Sequence, residues 1–355
     1  MSWVLAFAGF SALIVLHELG HFVAAKKVGM RVERFSLFFP PYLARKRRGE
    51  TEYCIGLVPL GGFVKITGMN PEEELPPDVA PRAYYHQPVW KRIVVIGAGP
   101  AVNLLIAFVL LFFLAFGARE SDSRVTKITR GTPAAEELRP GDRILSVDGV
   151  TGSTADIARQ ISSHECAGVQ RPGCRASTPA VLRVERDGRI LSVRVRPVYS
   201  GKEKRTLVGF RFGDRPLNPN VPEAAKLSLD LMWTVTSGTV ETIAQIFNPD
   251  RRDEISGVVG SYEVTRQAFE FDIRRAIAIL ALISLSLGVI NLFPFLPLDG
   301  GHIFWSVVEK IRGRPVPFRI MEQSGVLGFI LVIFLFVVGL SNDVGRLTGD
   351  GFDTR

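Results

Sequence analysis

The stretch Leu16-His17-Glu18-Leu19-Gly20-His21-Phe22 lies inside the first apolar run of the chain, which extends from Trp3 to Ala25. A run of this length can cross a bilayer as a helix, which needs about 20 residues. In a helix, His17 and His21 lie one turn apart on one face, with Glu18 beside them. This spacing predicts that two imidazoles hold one divalent metal ion, while the carboxylate takes a proton from water.

The membrane setting of this motif strengthens the prediction. The five-residue pattern also occurs by chance in soluble helices, where the histidines fill a helix contact and the glutamate bonds to a neighbour. Inside a membrane helix, each ionisable group costs at least about 2.5 kcal/mol unless it is paired or hydrated. Three such groups together favour a ligand site over a packing contact.

The composition indicates a membrane protein with soluble parts. Of the 355 residues, 47% are hydrophobic and 22% are charged, and the mean hydropathy is positive. The net charge of +8 does not indicate a nucleic-acid partner, because its basic residues cluster after the first span, as in a cytoplasmic flank. This cluster comprises Lys26, Lys27, Arg31, Arg34, Arg45, Lys46, Arg47 and Arg48. We therefore expect the first span to run from outside to inside and to be retained, not removed as a signal peptide.

The hydropathy pattern predicts a polytopic α-helical membrane protein with four transmembrane helices. The first two spans, Trp3 to Ala25 and Ile93 to Ala118, belong to a predicted domain of residues 1–118. Residues 119–213 are predicted to form a soluble domain, and 214–275 an interfacial amphipathic linker. The last two spans, one from Ala276 and one from Ser324 to Leu340, belong to residues 276–355.

Two features of the first domain suggest contacts around the metal. The β-rich stretch from Glu52 to Ile66, which contains Gly61 and Gly62, predicts a membrane-associated β-hairpin. Non-helical backbone survives at membrane depth only when it is buried or lines a wet cavity, so we place the hairpin against the metal site; a plain cytoplasmic hairpin is the alternative. Asn103, in the second span, is predicted to bind substrate or a neighbour of the metal ligands, and a helix–helix hydrogen bond is equally compatible.

The soluble domain has short β-patterned runs separated by turns. Its segment from Gly131 to Gly149 resembles the most recognisable stretch of PDZ domains, which bind extended peptides or C-termini by strand addition. The resemblance implies an extracytoplasmic PDZ-like α+β domain. There Cys166 and Cys174 are predicted to form a disulfide, while Cys54 on the cytoplasmic side stays reduced.

The third metal ligand is predicted to be Asp299, at the end of the run from Gly288 to Gly301, where prolines break the apolar third span. His17 lies nine residues before Lys26, and Asp299 eleven before Lys310, so both lie about 14 to 16 Å from the cytoplasmic flank. Two histidines and one carboxylate form the ligand set of a hydrolytic zinc site. Asp299 as a helix cap, or His302 as the ligand in its place, are the alternatives.

Taken together, these motifs resemble the bacterial site-2 protease family over nearly the whole chain. The resemblance implies an intramembrane zinc metalloprotease in the plasma membrane, with its active site toward the cytoplasm. Its substrates would be single-span membrane proteins already trimmed outside, such as anti-sigma factors or signal-peptide remnants. The implied residues are the Zn²⁺ ligands His17, His21 and Asp299, the catalytic base Glu18, and the substrate contacts Asn291, Gly61 and Gly62.

Two departures from the family leave alternatives open. Many members carry two PDZ domains, whereas this chain has room for one, so the domain either filters or recruits substrates. Ser256-Gly257 is not followed by the proline often found there.

A prenyl-protein protease is disfavoured because its third ligand is normally a downstream helical glutamate. A catalytically inactive scaffold that presents the PDZ-like domain is the alternative outside the enzymes.

Overall fold

The structure, a computed structural model, describes residues 1–70, 72–245 and 257–348. The chain forms two compact units. One comprises Met1–Ala115 together with the described residues from Asn220 onward, and the other comprises Phe116–Pro219. Ser256, which belongs to the Ser256-Gly257 pair discussed above, and the tail after residue 348 lie outside the described residues.

The first unit contains the four predicted apolar helices: α1 (Ser2–Lys27), α2 (Val89–Ala115), α7 (Ile273–Asn291) and α9 (Phe318–Thr348). All four contain a segment long and apolar enough to cross a membrane. This finding supports a multi-pass membrane protein. Lys26 and Lys27 occupy the last turn of α1, where their charges favour the negative end of the helix dipole.

Two further helices lie in the stretch predicted to be an interfacial linker. Helix α5 (Val221–Ala244) begins with a capping box in which Asn220 and Glu223 bind each other's backbone N–H groups. Helix α6 (Val258–Phe271) follows the undescribed residues 246–256. Both helices are less apolar than the four spans. Their placement at a membrane interface stays a prediction.

The break before Asp299 is sharper than the sequence indicated. Helix α7 ends at Asn291, and Asp299 is the first residue of a separate helix, α8 (Asp299–Arg312). Asp299 therefore does not belong to the third span, because the connection at 292–298 ends the span before it. A Cβ on Gly300 would lie 2.2 Å from the Leu292 carbonyl oxygen, so the connection folds back tightly over the first turn of α8.

A two-stranded antiparallel sheet follows α1. Strand β1 (Val32–Arg48) pairs with β2 (Thr51–Ile66), and several register shifts interrupt the pairing. The basic segment predicted only as a cytoplasmic flank thus supplies the partner strand, with its basic end exposed. Association of this sheet with the membrane stays a prediction.

An ion-pair cluster fixes the turn between β1 and β2. The Glu50 carboxylate binds both terminal nitrogens of Arg82 at 2.7 and 2.8 Å, and Lys26 Nζ at 2.6 Å. Hydrogen bonds from Arg82, and then from Lys26, lower the pKa of Glu50 to about 2. The cluster therefore joins the end of α1 and the segment before α2 to this turn.

We expect Glu50→Gln to lower stability in a pH-dependent way. The folded-state pKa of Glu50 lies below its ordinary value of 4.5, so the ion-pair contribution is present above pH 4.5 and disappears as the pH falls toward 2. Because Arg82 is 45% exposed, the effect at neutral pH should be about 1 kcal/mol or less. Thermal unfolding in detergent at pH 7 and at pH 3 measures it. A wild-type-to-variant difference that is larger at pH 3 would contradict the assignment.

The second unit is built on a five-stranded antiparallel sheet in the order β6-β5-β4-β3-β9. Its strands are β3 (Arg119–Ile128), β4 (Arg143–Val147), β5 (Ala180–Arg186), β6 (Arg189–Val195) and β9 (Phe210–Pro216). A smaller pair joins β7 (Val198–Ser200) to β8 (Arg205–Leu207), and the helices are α3 (Ala134–Glu137) and α4 (Thr154–Ser162). Buried aliphatic side chains from the strands and α4 form one core. Its likeness to a PDZ domain stays a prediction.

The cysteines are arranged as the sequence predicted. Cys166 and Cys174, in the second unit, form a disulfide. Cys54 is a free, buried thiol in β2. The disulfide closes a short loop after α4, and such a loop is expected to persist only in an oxidising compartment.

Candidate metal centre

Helix α1 presents His17 and His21 as an adjacent pair. Their Nε2 atoms lie 3.2 Å apart, and the rings meet edge to face with centroids 4.8 Å apart. Both side chains are buried. The spacing of four residues thus gives the shared face that the sequence predicted.

Asp299 approaches this pair from the first residue of α8. Its Oδ2 atom lies 3.4 Å from Nε2 of His17 and 3.4 Å from Nε2 of His21. The donor atoms of the three residues all lie within 4.8 Å of one another. Two histidines on one helix and a carboxylate 278 residues further along the chain therefore converge on one point.

The donor chemistry of this group fits a cation. Asp299 Oδ2 is buried and has no hydrogen-bond partner, which is costly for a carboxylate. It faces two imidazole nitrogens that present lone pairs when their Nδ1 atoms carry the protons. Zinc prefers two imidazoles and a carboxylate, with a fourth position left open for water. The residues present therefore fit Zn²⁺.

The second ring nitrogen of His21 fixes its tautomer. Nδ1 of His21 lies 2.9 Å from the backbone carbonyl oxygen of Val95, on α2. A carbonyl can only accept, so Nδ1 is the protonated nitrogen and donates. The lone pair of Nε2 consequently faces the point shared with His17 and Asp299.

Asn103 performs the equivalent task for His17. Its side-chain nitrogen lies 3.0 Å from Nδ1 of His17, while its Oδ1 is buried without a partner. Rotating the amide by 180°, an assignment that hydrogen bonding must decide, lets Oδ1 accept from Nδ1–H and frees Nε2 for a metal. Asn103 is fully buried. Its side chain therefore joins α2 to a predicted metal ligand on α1. Asn103 as a substrate contact stays a prediction.

We expect Asn103→Leu to weaken divalent-metal binding about tenfold to hundredfold, as is typical when the hydrogen-bond partner of a ligand is lost. Asn103→Asp is the matched control, because its carboxylate still accepts from Nδ1–H of His17. Zinc titration of both purified variants measures the effect. Equal affinity of the leucine variant and the wild type would show that Asn103 does not orient His17.

Glu18 lies beneath strand β2. It is half-buried on α1, and a Cβ built on Gly62 would lie 3.2 Å from its Cγ. Gly62 therefore allows the strand to approach Glu18 closely. A Cβ on Gly61 would instead meet the Phe39 ring at 2.8 Å. Of the two predicted glycines, Gly62 is the one that faces the metal-site helix.

Glycines between α1 and α2 complete the site. A Cβ on Gly99 would lie 2.2 Å from Nε2 of His21 and 2.9 Å from Cε1 of His17. A Cβ on Gly20 would lie 2.7 Å from the carbonyl oxygen of Ala98. The contact of Gly99 with the histidines was not predicted from the sequence. The Gly97-Ala98-Gly99-Pro100 run was the available signal, and it did not indicate which glycine meets the histidines.

Two other candidates are not members of the donor group found in the described residues. Asn291 ends α7, and among the described residues no hydrogen bond joins its amide to His17, His21 or Asp299. His302 lies one turn after Asp299 in α8 and is not a member of the donor group found in the described residues. Asn291 as a substrate contact stays a prediction.

A pair of imidazoles and a carboxylate around one point, with a second carboxylate nearby, is the arrangement of metal-dependent hydrolases. Residues 5–335 match the model of peptidase family M50, and the chain belongs to that family. This membership confirms the resemblance to site-2 proteases indicated by the sequence motifs.

Similar proteins align with nearly the whole chain. A protein of Clostridium acetobutylicum, named as a zinc metalloprotease, is 31% identical over 353 residues. The alignment covers 96% of this chain and 96% of that protein. A similarly named protein of Brucella suis biovar 1 is 30% identical over 363 residues, covering 94% of this chain and 92% of its own length. Metalloprotease MmpA of Caulobacter vibrioides is 29% identical over 385 residues, covering 95% and 93%.

Proposed function

We propose that this chain is a zinc metallopeptidase that hydrolyses peptide bonds within the membrane. The observation that carries the proposal is the convergence of His17, His21 and Asp299, with Glu18 adjacent, at a helix long and apolar enough to span a bilayer. The names of the similar proteins support zinc as the metal.

The three donors would hold Zn²⁺ through Nε2 of His17, Nε2 of His21 and the carboxylate of Asp299. Bound zinc supplies a Lewis acid that activates water and polarises the scissile carbonyl. Val95 and Asn103 hold the two imidazoles in the tautomer that directs lone pairs inward. The protein therefore contributes orientation as well as ligands.

Glu18 would act as the general base and then as the general acid. Its carboxylate takes a proton from water as the water oxygen attacks the carbonyl carbon of the substrate. Glu18 then delivers that proton to the amide nitrogen as the C–N bond breaks. Glu18 returns to its ionised form, and the products are a carboxylic acid and an amine, which become a carboxylate and an ammonium by proton transfer between them.

Strand β2 offers a way to hold an unwound substrate. Among the described residues, the half of β2 at 62–66 pairs only with residues 32–37 of β1, whereas 52–55 are paired on both sides. The other edge of 62–66 therefore carries backbone donors and acceptors able to pair with an extended segment. Gly61 and Gly62 leave that backbone accessible. On this basis we assign the membrane-associated hairpin to substrate handling. Asn291 is kept as a substrate contact only because the family resemblance implies it.

Regulated intramembrane proteolysis at the plasma membrane is the setting that we propose. The basic residues after α1 favour a cytoplasmic location for that end, and the disulfide favours an extracytoplasmic location for the second unit. The substrates would be trimmed single-span proteins within the lipid bilayer, such as anti-sigma factors or signal-peptide remnants.

Reconstituted protein tests the proposed activity. Purified chain in phospholipid vesicles, mixed with a single-span peptide, should cleave within the apolar segment, as detected by mass spectrometry of the fragments. Removal of metal with a chelator should abolish cleavage, and added Zn²⁺ should restore it. Cleavage that survives complete metal removal, or folded zinc-loaded protein that cleaves no membrane peptide, would refute it. The latter result would favour the inactive scaffold.

We further propose that the PDZ-like unit excludes untrimmed substrates, with recruitment of new C-termini secondary. The backbone N–H of Leu217 binds the carbonyl oxygen of Ala118 at 3.0 Å, so the chain enters and leaves the unit at neighbouring points. A short flexible linker can therefore replace residues 119–216 without stretching the chain.

The deletion should allow cleavage of a substrate that still carries its bulky external domain, because the barrier to entry has been removed. Cleavage of trimmed and untrimmed substrates is compared in vesicles, and the same deletion with Glu18→Gln is the inactive control. Loss of cleavage of the trimmed substrate by folded, zinc-loaded deletion protein would instead indicate recruitment.

A further inference from the structure

An ion pair between a buried arginine and a half-buried glutamate joins α2 to α8. Arg92, in the first turn of α2, is only 2% exposed. Its two terminal nitrogens bind the two carboxylate oxygens of Glu309 at 3.0 and 2.5 Å. The guanidinium also lies 6.0 and 5.5 Å from the ring centroids of Tyr84 and Tyr85.

Such a pair adds little net stability compared with apolar residues of similar size, because desolvation offsets the attraction. Its two parallel hydrogen bonds nevertheless define one relative position of the two helices. An apolar contact between the same helices would tolerate sliding and rotation. The useful property of this pair is therefore the register that it enforces.

That register reaches the metal donors through α8. Glu309 lies ten residues after Asp299 in the same helix, a separation of about 15 Å along a rigid axis. Fixing Glu309 against α2 therefore fixes the height and rotation at which α8 presents Asp299. If α8 rotated about its axis by one residue position, the Asp299 carboxylate would move about 100° around the helix.

Helix α2 also contacts both histidines of α1. Arg92, Val95, Gly99 and Asn103 follow one another at intervals of three or four residues, which places them along one face. Val95 accepts from His21, Gly99 gives the two rings space, and Asn103 contacts His17. Helix α2 is thus the common support against which both histidines are oriented and α8 is registered.

We infer that the Arg92–Glu309 pair positions Asp299 opposite His17 and His21 by fixing the register of α8 on α2. The inference rests on the proposed metal centre and adds two positioning residues to it. Neither residue touches the donors, so their effect is on metal affinity and ligand geometry.

Cobalt binding tests the inference, because the visible absorption of Co²⁺ reports ligand geometry without requiring turnover. The decisive variant is Arg92→Met with Glu309→Leu, which leaves no uncompensated buried charge and so preserves folding. We expect about tenfold weaker Co²⁺ binding and an altered absorption spectrum at saturation. A folded double variant with wild-type affinity and spectrum would overturn the inference.

Three more variants complete the design. Arg82→Gln is the matched control. Arg82 also binds a glutamate through both terminal nitrogens, but the hydrogen bonds of its side chain in the described residues go to Glu50 and Gly29, outside α8. This control should bind Co²⁺ like the wild type, and an equal loss in it would overturn the inference. Arg92→Lys keeps the charge and serves if the double variant does not fold. It should weaken binding severalfold, and wild-type affinity would again overturn the inference. Asp299→Asn with wild-type affinity would reject the metal centre itself.

Discussion

Replacing Glu18 by Gln is expected to lower peptide cleavage about 10²- to 10⁴-fold, the usual contribution of a general base. Glutamine keeps the size and hydrogen-bonding shape of the side chain beneath β2 but cannot take a proton from water. Because Glu18 is not among the three converging donors, the zinc content should not change. Cleavage of a membrane peptide and zinc content are measured on the same preparation.

Glu263→Gln is the matched control for this substitution. Glu263 is half-buried like Glu18, but it lies on α6 and pairs with Arg266 of the same helix. Its replacement should leave the cleavage rate near the wild-type value. A Glu18→Gln protein that cleaves at the wild-type rate would remove Glu18 from the mechanism. One that loses zinc would indicate that Glu18 supports the metal instead.

Replacing Gly99 by Ala is expected to have the other large effect. The added Cβ would lie 2.2 Å from Nε2 of His21, far inside van der Waals contact, and would meet a donor atom in a fully packed interface. Either α1 and α2 must separate or the imidazole must turn away from Asp299. We expect zinc affinity to fall at least about 100-fold, the upper range for lost support of a ligand, and cleavage to fall with it.

Gly97→Ala provides a control on the same helix. Apart from its chain neighbours and the backbone of its own helix, the added Cβ has one atom of the described residues within 4 Å, Cδ1 of Ile303 at 3.9 Å, an ordinary contact. This variant should keep its zinc and its activity. Zinc content and cleavage of both alanine variants are compared after size-exclusion chromatography confirms folding. Zinc-loaded, active Gly99→Ala protein would contradict the packing of the histidines against α2.

The local part of the site was predictable because its geometry is set by the helix itself. The pair His17 and His21 follows from four-residue spacing. Asp299 could be selected because it is a carboxylate at a matching membrane depth. Its place at the start of α8 could not be foreseen, since the sequence does not state where a proline-containing connection folds back. The need for glycine at position 300 becomes clear only in the structure, where an added Cβ would collide with the Leu292 carbonyl oxygen.

The supporting contacts were not predictable, because they join residues far apart in sequence. Asn103 meets His17 across 86 residues, and Arg92 meets Glu309 across 217. Nothing local distinguishes these partners from other polar residues. The segment from Val32 to Arg48 was likewise interpreted by its charge, although its pairing with β2 makes it a strand.

The second unit was predictable at the level of its strands. The short β-patterned runs predicted in 119–213 correspond to strands, and Ile144, Leu182 and Val193, one from each of three strands, are buried in one core. The order of the strands in the sheet depends on long-range pairing. The strand pattern does not indicate how the second unit acts on substrates, which the deletion experiment tests.

Zinc analysis of the purified chain and of Asp299→Asn tests the central claim most directly. Asparagine preserves the volume of Asp299 but removes the negative charge that faces His17 and His21 at 3.4 Å. The converging donors predict about one zinc per wild-type chain, by analogy with other sites of two histidines and one carboxylate, and little or none in folded Asp299→Asn protein. Equal zinc in both proteins, or none in folded wild type supplied with zinc, would contradict the claim that these three residues form a metal centre.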